Sequence, residues 1–294
     1  MNLARITKNK YLCHMIFYFS GTGNSQWAAN TLALYTSDKL ISIPEVINTD
    51  CSFTLEKDEH VGFVFPVHGW RVPLIVREFI EKLTFLKDDL NLQKASCKHY
   101  CFCLVTAGDT VAKTIEHFQH LLMESSAGQF LSLKAVFSLI MPESYVGLPS
   151  MDVDTKEKEQ EKKRTAQVEL KEFIEVIQQE KMGTNGRPWG WRKIKRGPIP
   201  SFFSGPVGGF FEHILIKDKP FYVESNQCVK CGICANVCPV NDIKGGLGFE
   251  PEWIHNGKCL TCFACYHHCP HHAIEYGKRT QKKGQYFYNR NKLH

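Results

Sequence analysis

Eight cysteines near the C-terminal end of the sequence, and the intervals between them, constrain the fold more than any other feature. Cys228, Cys231, Cys234 and Cys238 are followed by Pro239, and Cys259, Cys262, Cys265 and Cys269 by Pro270. Each run reads C-x2-C-x2-C-x3-C-P, and each cysteine of the second run lies 31 positions after its counterpart in the first. Ile243 and Ile274, and Gly246 and Gly277, keep the same offset. This is an internal duplication whose halves are each too short to bury a core alone.

Thiolates in such a series suit iron–sulfur clusters. Zinc and disulfides are the other readings. Zinc sites usually pair two short C-x2-C units instead of running three cysteines and a Cys-Pro in series. Residues 221–277 resemble a bacterial two-cluster ferredoxin. In that arrangement the fourth cysteine of each run ligates the cluster of the other run. The resemblance therefore implies one [4Fe-4S] cluster on Cys228, Cys231, Cys234 and Cys269, and a second on Cys259, Cys262, Cys265 and Cys238.

The remaining cysteines, Cys13, Cys51, Cys97, Cys101 and Cys103, are odd in number. With cluster thiolates, that points to a reducing cytoplasm, and cluster oxygen sensitivity to an anaerobe. Cys101 and Cys103 alternate with Tyr100 and Phe102 and read as small core residues. At 294 residues and 43% hydrophobic there is room for a second, larger domain with its own core. No secretory signal is evident: the apolar residues 11–19 lead into a Gly-rich turn with no small-residue cleavage site. Residues 1–14 read as an N-terminal extension, with Met15 a possible true start.

The periodicity over 15–182 is that of an α/β domain. Apolar runs at 15–19, 39–43, 60–67, 100–106 and 129–141 predict five strands. Helical spacing is found after residue 25 and over 72–83, 111–123 and 155–181. The alternation gives a doubly wound, five-stranded parallel sheet, whose ligands bind beyond the C-terminal strand ends. The Lys/Glu run 156–163 reads as a solvated helix face.

The loop after the first strand is Ser20-Gly21-Thr22-Gly23-Asn24-Ser25, hydroxyls alternating with glycines before a helix. Backbone N–H groups, hydroxyls and a helix N-terminus can converge there on one phosphate dianion. No lysine stands where a Walker loop needs one, and Gln26 replaces the third glycine of a dinucleotide fingerprint. The loop resembles the FMN phosphate loop of flavodoxins. That resemblance implies that Pro66, Val67, His68, Gly69 and Trp70 border the isoalloxazine ring, with Trp70 the candidate for stacking, and that Thr106, Ala107 and Gly108 border the ring and ribityl chain. Trp70 could instead pack on the linker. Tyr145 is a candidate for covering the site or meeting the second domain.

Residues 183–220 are rich in Gly, Pro and aromatics and read as a largely irregular linker. Prolines, glycines and Glu212 in 198–216 argue against a spanning helix, leaving aromatics packed between domains or an interfacial membrane patch. Four histidines, His267, His268, His271 and His272, crowd the last motif and read as surface or neighbouring groups, not ligands. The segment 278–294 carries Lys278, Arg279, Lys282, Lys283, Arg290 and Lys292 and no acid, which equals the whole net charge of +6. It reads as a solvated basic tail or as a steering element for an acidic redox partner.

The chain as a whole is similar to the flavodoxin–ferredoxin fusion proteins of anaerobic bacteria and archaea, over about residues 15–277. That resemblance implies electron transfer between two [4Fe-4S] clusters and FMN, with or without reduction of a small substrate. A non-catalytic redox sensor using the clusters and the basic tail is the alternative. Nothing resembles a nucleic-acid-reading element.

Overall fold

The computed structural model describes residues 14–56, 58–87 and 98–290. Most of the N-terminal extension, with Cys13, and also Cys97 and Lys292, lie outside the described residues. Five parallel strands form the main sheet: β1 (His14–Tyr18), β2 (Lys39–Ser42), β4 (His60–Pro66), β6 (His99–Ala107) and β7 (Leu131–Ile140), in the order β2-β1-β4-β6-β7. Counting only these strands, the order is 2-1-3-4-5, the flavodoxin-like winding. The short strands β3 (Ser52–Leu55) and β5 (Thr84–Lys87) pair with each other in a separate parallel ribbon that the sequence pattern did not predict.

Both faces of the sheet are covered, so its central strands are apolar over most of their length. The pleat sends alternate residues to opposite cores. Phe17 and Phe63 meet Phe79 of α3 (Leu74–Lys82) and Phe118 of α4 (Thr114–Glu124). Ile16, Val64 and Phe102 meet Ala28 and Leu32 of α1 (Asn24–Thr36) and Phe173 of α5 (Lys156–Gln178). A single turn, α2 (Ile43–Val46), follows β2. Strand β7 shifts register against β6 between Cys101 and Phe102, an irregularity of the bulge type.

The C-terminal domain displays its duplication in the backbone. Helical turns at Ile233–Asn236 and Ala264–His268 begin 31 residues apart, as do β9 (Ile243–Gly246) and β11 (Ile274–Tyr276). β8 (Phe221–Val223) pairs antiparallel with β11, and β9 with β10 (Phe249–Trp253). The halves share one core of Phe221, Trp253, Phe263, Tyr266 and Tyr276. Phe221 stacks on Trp253 at 5.5 Å between centroids.

Two expectations are corrected. The linker is more regular than its composition suggests. Trp189 bridges to Ala135 along the outer edge of β7, taking a hydrogen bond from the Val136 N–H at 2.9 Å. Residues 200–215 then form continuous helical turns of mixed α and π character. Pro206 and the glycines are accommodated by the wider π turns and by an anchor from the sheet domain: the Arg71 guanidinium donates to the carbonyls of Ser204 (2.7 Å) and Gly205 (3.1 Å). Glu212 closes the joint by pairing with both Arg71 and Arg77.

The basic segment after Gly277 is the second correction. Over 278–290 it is a packed strap, not a solvated end. Lys283 donates to the carbonyls of Val146, Leu148 and Met151, and Arg279 to that of Gly147. Tyr286 is 4% exposed. Tyr288 stacks on Trp27 of α1 at 5.3 Å, and its N–H donates to the Thr22 carbonyl. Basic side chains here cap loop carbonyls, so their charge does not make the segment mobile.

Candidate functional site

The C-terminal ends of β1, β4, β6 and β7 open into one cleft of about 940 Å³, continuous with solvent. Ser20, Thr22, Asn24 and Ser25 form one wall, Pro66, Val67, His68, Gly69 and Trp70 a second, and Thr106, Ala107 and Gly108 the floor. Of the residues expected to border a flavin, Gly23 alone is absent from the lining. It serves as the N-cap of α1 with φ of 87°, and no side chain caps that helix. The helix N-terminus thus faces the loop with N–H groups available to an anion.

Hydrogen bonds brace the loop from several sides. The Gly23 N–H donates to the Ser20 hydroxyl at 3.0 Å, Thr22 donates to Ser144 at 3.2 Å, and the hydroxyls of Ser25 and Thr106 lie 2.8 Å apart. Asn24 is occupied at both polar ends. Its amide donates to the Pro142 carbonyl at 3.0 Å, and its carbonyl accepts from the Tyr286 hydroxyl at 2.6 Å. Asn24 therefore braces the loop through Oδ1 and one of its two amide N–H groups.

His68 to Arg71 make a tight turn with reciprocal backbone hydrogen bonds of 3.1 and 3.0 Å. Gly69 and Trp70 both have positive φ, 54° and 58°, the conformation of a type I′ turn. Gly69 is required twice, since a Cβ there would overlap the Phe211 ring. Trp70 packs on the linker, the second of the two readings of the sequence. It lines the cleft, and it also packs on Phe203 at 4.7 Å while its indole N–H reaches Thr110 at 3.3 Å. Burial, with the Arg77 charge adding to it, pushes the His68 imidazole down to about 4.

Some lining residues were not singled out by sequence. Glu143 follows β7, and its carboxylate accepts N–H bonds from Ser144 and Tyr145, each 2.9 Å. Burial raises its pKa, with those N–H groups opposing the shift. Leu260, Thr261 and Cys262 come from the second cysteine run and close the far side of the cleft. A Cβ on Gly21 would lie only 3.1 Å from Cys262 Cβ, so the first βα loop and the second cysteine run touch. Tyr145 bridges the domains, packing on Phe211 at 5.0 Å and Phe263 at 5.4 Å.

The eight cysteines gather as two groups of four. Cys228, Cys231, Cys234 and Cys269 line one small cavity, and Cys238, Cys259, Cys262 and Cys265 another. Each group thus borrows its fourth thiol from the other run. None of these eight is in a disulfide. Asp242 N–H donates to Cys238 Sγ at 3.3 Å and Ala273 N–H to Cys269 Sγ at 3.2 Å, bonds that lie 31 residues apart. Such N–H···S bonds favour thiolate sulfur. Cys51, Cys101 and Cys103 are buried core thiols.

Of the four histidines, His267 is not a surface group, and both its ring nitrogens are engaged. It is fully buried, donating from Nε2 to the Ser144 carbonyl at 2.6 Å and accepting the Tyr286 N–H at Nδ1 at 3.1 Å. It therefore joins the loop after β7, the second cysteine run and the strap.

Comparison with known proteins agrees with the C-terminal half of this description. Residues 221–270 match the family model described as a 4Fe-4S dicluster domain. No curated protein matches the chain. Among solved structures, a protein assigned as a flavoprotein from Bacteroides uniformis is 15% identical, with a TM-score of 0.29, covering 44% of this chain and 90% of its own. A second, from Bacteroides eggerthii, is 14% identical with a TM-score of 0.28, covering 53% and 97%. An azoreductase from Bacillus anthracis is 9% identical with a TM-score of 0.33, covering 57% and 100%. These overlaps are low, and the flavodoxin-like fold is assigned from strand order instead. Among the described residues, no helix is long and apolar enough to cross a membrane. The sequence match and the grouped thiols together give the chain an iron–sulfur domain and a redox, electron-transfer role.

Proposed function

We propose that the protein passes electrons between two [4Fe-4S] clusters and an FMN held in the cleft. The single observation that carries this reading is the shared wall: Cys262 lines both the second thiol cavity and the cleft, beside Gly21 of the phosphate-type loop. Bound there, FMN supplies exchange between electron pairs and single electrons, and each cluster carries one electron at a time. The chain's own residues fit these groups. The uncapped α1 terminus with Ser20, Thr22 and Ser25 suits a phosphate dianion. The thiol sets Cys228, Cys231, Cys234, Cys269 and Cys259, Cys262, Cys265, Cys238 suit two clusters.

The residues around the cleft do three things. Trp70, Phe211 and Leu260 give it apolar walls and limit water. Tyr145, Phe263 and the strap hold the cysteine domain at a fixed place over the cleft. Burial raises the pKa of Glu143, and with Oε1 taken by two N–H donors a proton held beside the site would sit on Oε2. The physiological setting we propose is a reducing cytoplasm, with a soluble redox protein as donor or acceptor.

The test is anaerobic purification with quantification of iron, sulfide and flavin, followed by reduction with a low-potential donor. About eight iron atoms per chain, one FMN, and bleaching of both chromophores are expected. Four or fewer iron atoms, or no flavin after reconstitution with FMN, would defeat the reading. A redox sensor is separated by turnover: a sensor shows no flavin-dependent electron delivery to an artificial acceptor.

A further inference from the structure

The helical turns 200–215 are anchored from one side only. Ser204, Gly208, Phe211 and Leu215 face inward and are buried. The opposite face shows Phe202, Pro206, Phe210 and Ile214, each four residues from the last, with Ile199 just before them. Ile199 is 52% exposed, Phe202 52%, Phe210 57% and Ile214 48%. A spacing of four keeps these groups in line because the π-helical turns Phe203–Val207 and Phe211–Leu215 are wider than α-helical ones. The stripe is about 20 Å long at about 1.5 Å per residue, against about 30 Å for a bilayer's hydrocarbon core. It can lie along a membrane surface but is too short to cross one.

Charge around the stripe is one-sided. Residues 197–219 contain two acids, Glu212 and Asp218. Glu212 turns inward to Arg71 and Arg77, and Asp218 is 5% exposed beside His255. The exposed ionisable side chains are His213, Lys217 and Lys219. The four-residue stripe itself offers no side-chain hydrogen-bonding atom with which to read a polar protein partner. Aromatic and aliphatic groups over exposed cations, with acids withdrawn, complement an apolar layer beneath anionic headgroups.

We infer that residues 199–219 dock the protein on the surface of an anionic lipid bilayer. Phe202, Phe210 and Ile214 enter the boundary between headgroups and acyl chains, and Lys217 and Lys219 lie among the lipid phosphates. Nothing in this inference depends on what the cleft binds.

The test is co-sedimentation of the anaerobically purified full chain with vesicles of phosphatidylcholine alone or with 30 mol% phosphatidylglycerol, the fraction being roughly that of a strongly anionic membrane. Binding to the anionic vesicles is expected, with about tenfold or greater loss on neutral ones. The double variant Phe210→Ser/Ile214→Ser should weaken binding about tenfold or more. Lys217→Glu/Lys219→Glu should do so at low salt and converge with the unaltered protein as salt screens the charges. Unchanged iron content in both variants confirms an intact fold. Failure of the unaltered protein to sediment with anionic vesicles would overturn the inference, as would equal binding by both variants. A dimer in light scattering that Phe210→Ser/Ile214→Ser dissociates, with no effect on vesicle binding, would assign the stripe to a second copy instead.

Discussion

The two cysteine runs are copies in sequence and opposites in setting. In the first run the residues between the thiols, Val229, Lys230 and Ile233, are exposed. Their counterparts 31 positions on, Leu260, Thr261 and Ala264, are buried, with Val229 56% and Leu260 4% exposed. The difference comes from what each run packs against. The first faces solvent, with Leu247 and Phe249 also exposed nearby, whereas the second is pressed onto the cleft and onto Lys217, whose N–H donates to Thr261 Oγ1 at 2.8 Å. Duplication supplied two equivalent thiol sets, and docking made one an inner and the other an outer site.

The sharpest way to break that contrast is to remove one thiol from each run. Cys262→Ala and Cys231→Ala should each lower iron to about half. Only Cys262→Ala should also release flavin, because its loop walls the cleft. Equal flavin loss in both would erase the inner–outer distinction. The borrowed fourth ligand offers the next largest effect. Cys269→Ala should spare the cluster that survives in Cys231→Ala, giving the same paramagnetic spectrum on reduction. A spectrum matching that of Cys262→Ala would mean that the runs do not exchange ligands.

Smaller effects belong to the cleft. Thr22→Ala should weaken FMN about tenfold to a hundredfold, from about 1.5–3 kcal/mol for the hydrogen bond its hydroxyl makes to a charged phosphate when turned from Ser144, with iron unchanged. Riboflavin bound as tightly as FMN would contradict a phosphate site there. Tyr286→Phe removes one neutral hydrogen bond to Asn24 and should cost about 0.5–1.5 kcal/mol in thermal or denaturant unfolding. No change in stability would mean that the strap contributes nothing through that bond.

The mildest effect is on pH. His68 sits near 4 in the fold against about 6.5 when unfolded, so between those values the unfolded chain binds the extra proton. The stability this neutral ring contributes is complete above about pH 6.5 and is lost as pH falls toward 4. His68→Gln should flatten the acid side of the stability profile, measured by denaturant midpoint, and leave pH 7–8 little changed.

The sheet and the thiol spacing were legible in the sequence because both rest on short-range pattern. Continuous apolar runs such as 60–67 and the C-x2-C-x2-C intervals need no tertiary knowledge. The 200–215 helix was obscured because Pro206 and three glycines argue against regular structure, and the side chain that anchors it, Arg71, is more than 130 residues away, with |i−j| of 133 to the Ser204 carbonyl. Asn24 fitted a phosphate motif, yet its two partners, Pro142 and Tyr286, are distant in sequence. The strap was read from charge alone. Its alternation of Tyr286 and Tyr288 around Phe287 was the overlooked signal for burial.

That strap also sets an order of events during synthesis. The bond between Asn24 and Tyr286 joins residues 262 positions apart, so the ribosome must add the rest of the sheet domain and both cysteine runs before the first βα loop has its last brace. At about 5–20 residues per second the sheet domain waits on the order of ten seconds for that partner. Thiols of the second run leave the ribosome in the same interval, just ahead of Tyr286. Both compartments are thus locked together by one short segment that emerges after the loop and the thiols it joins.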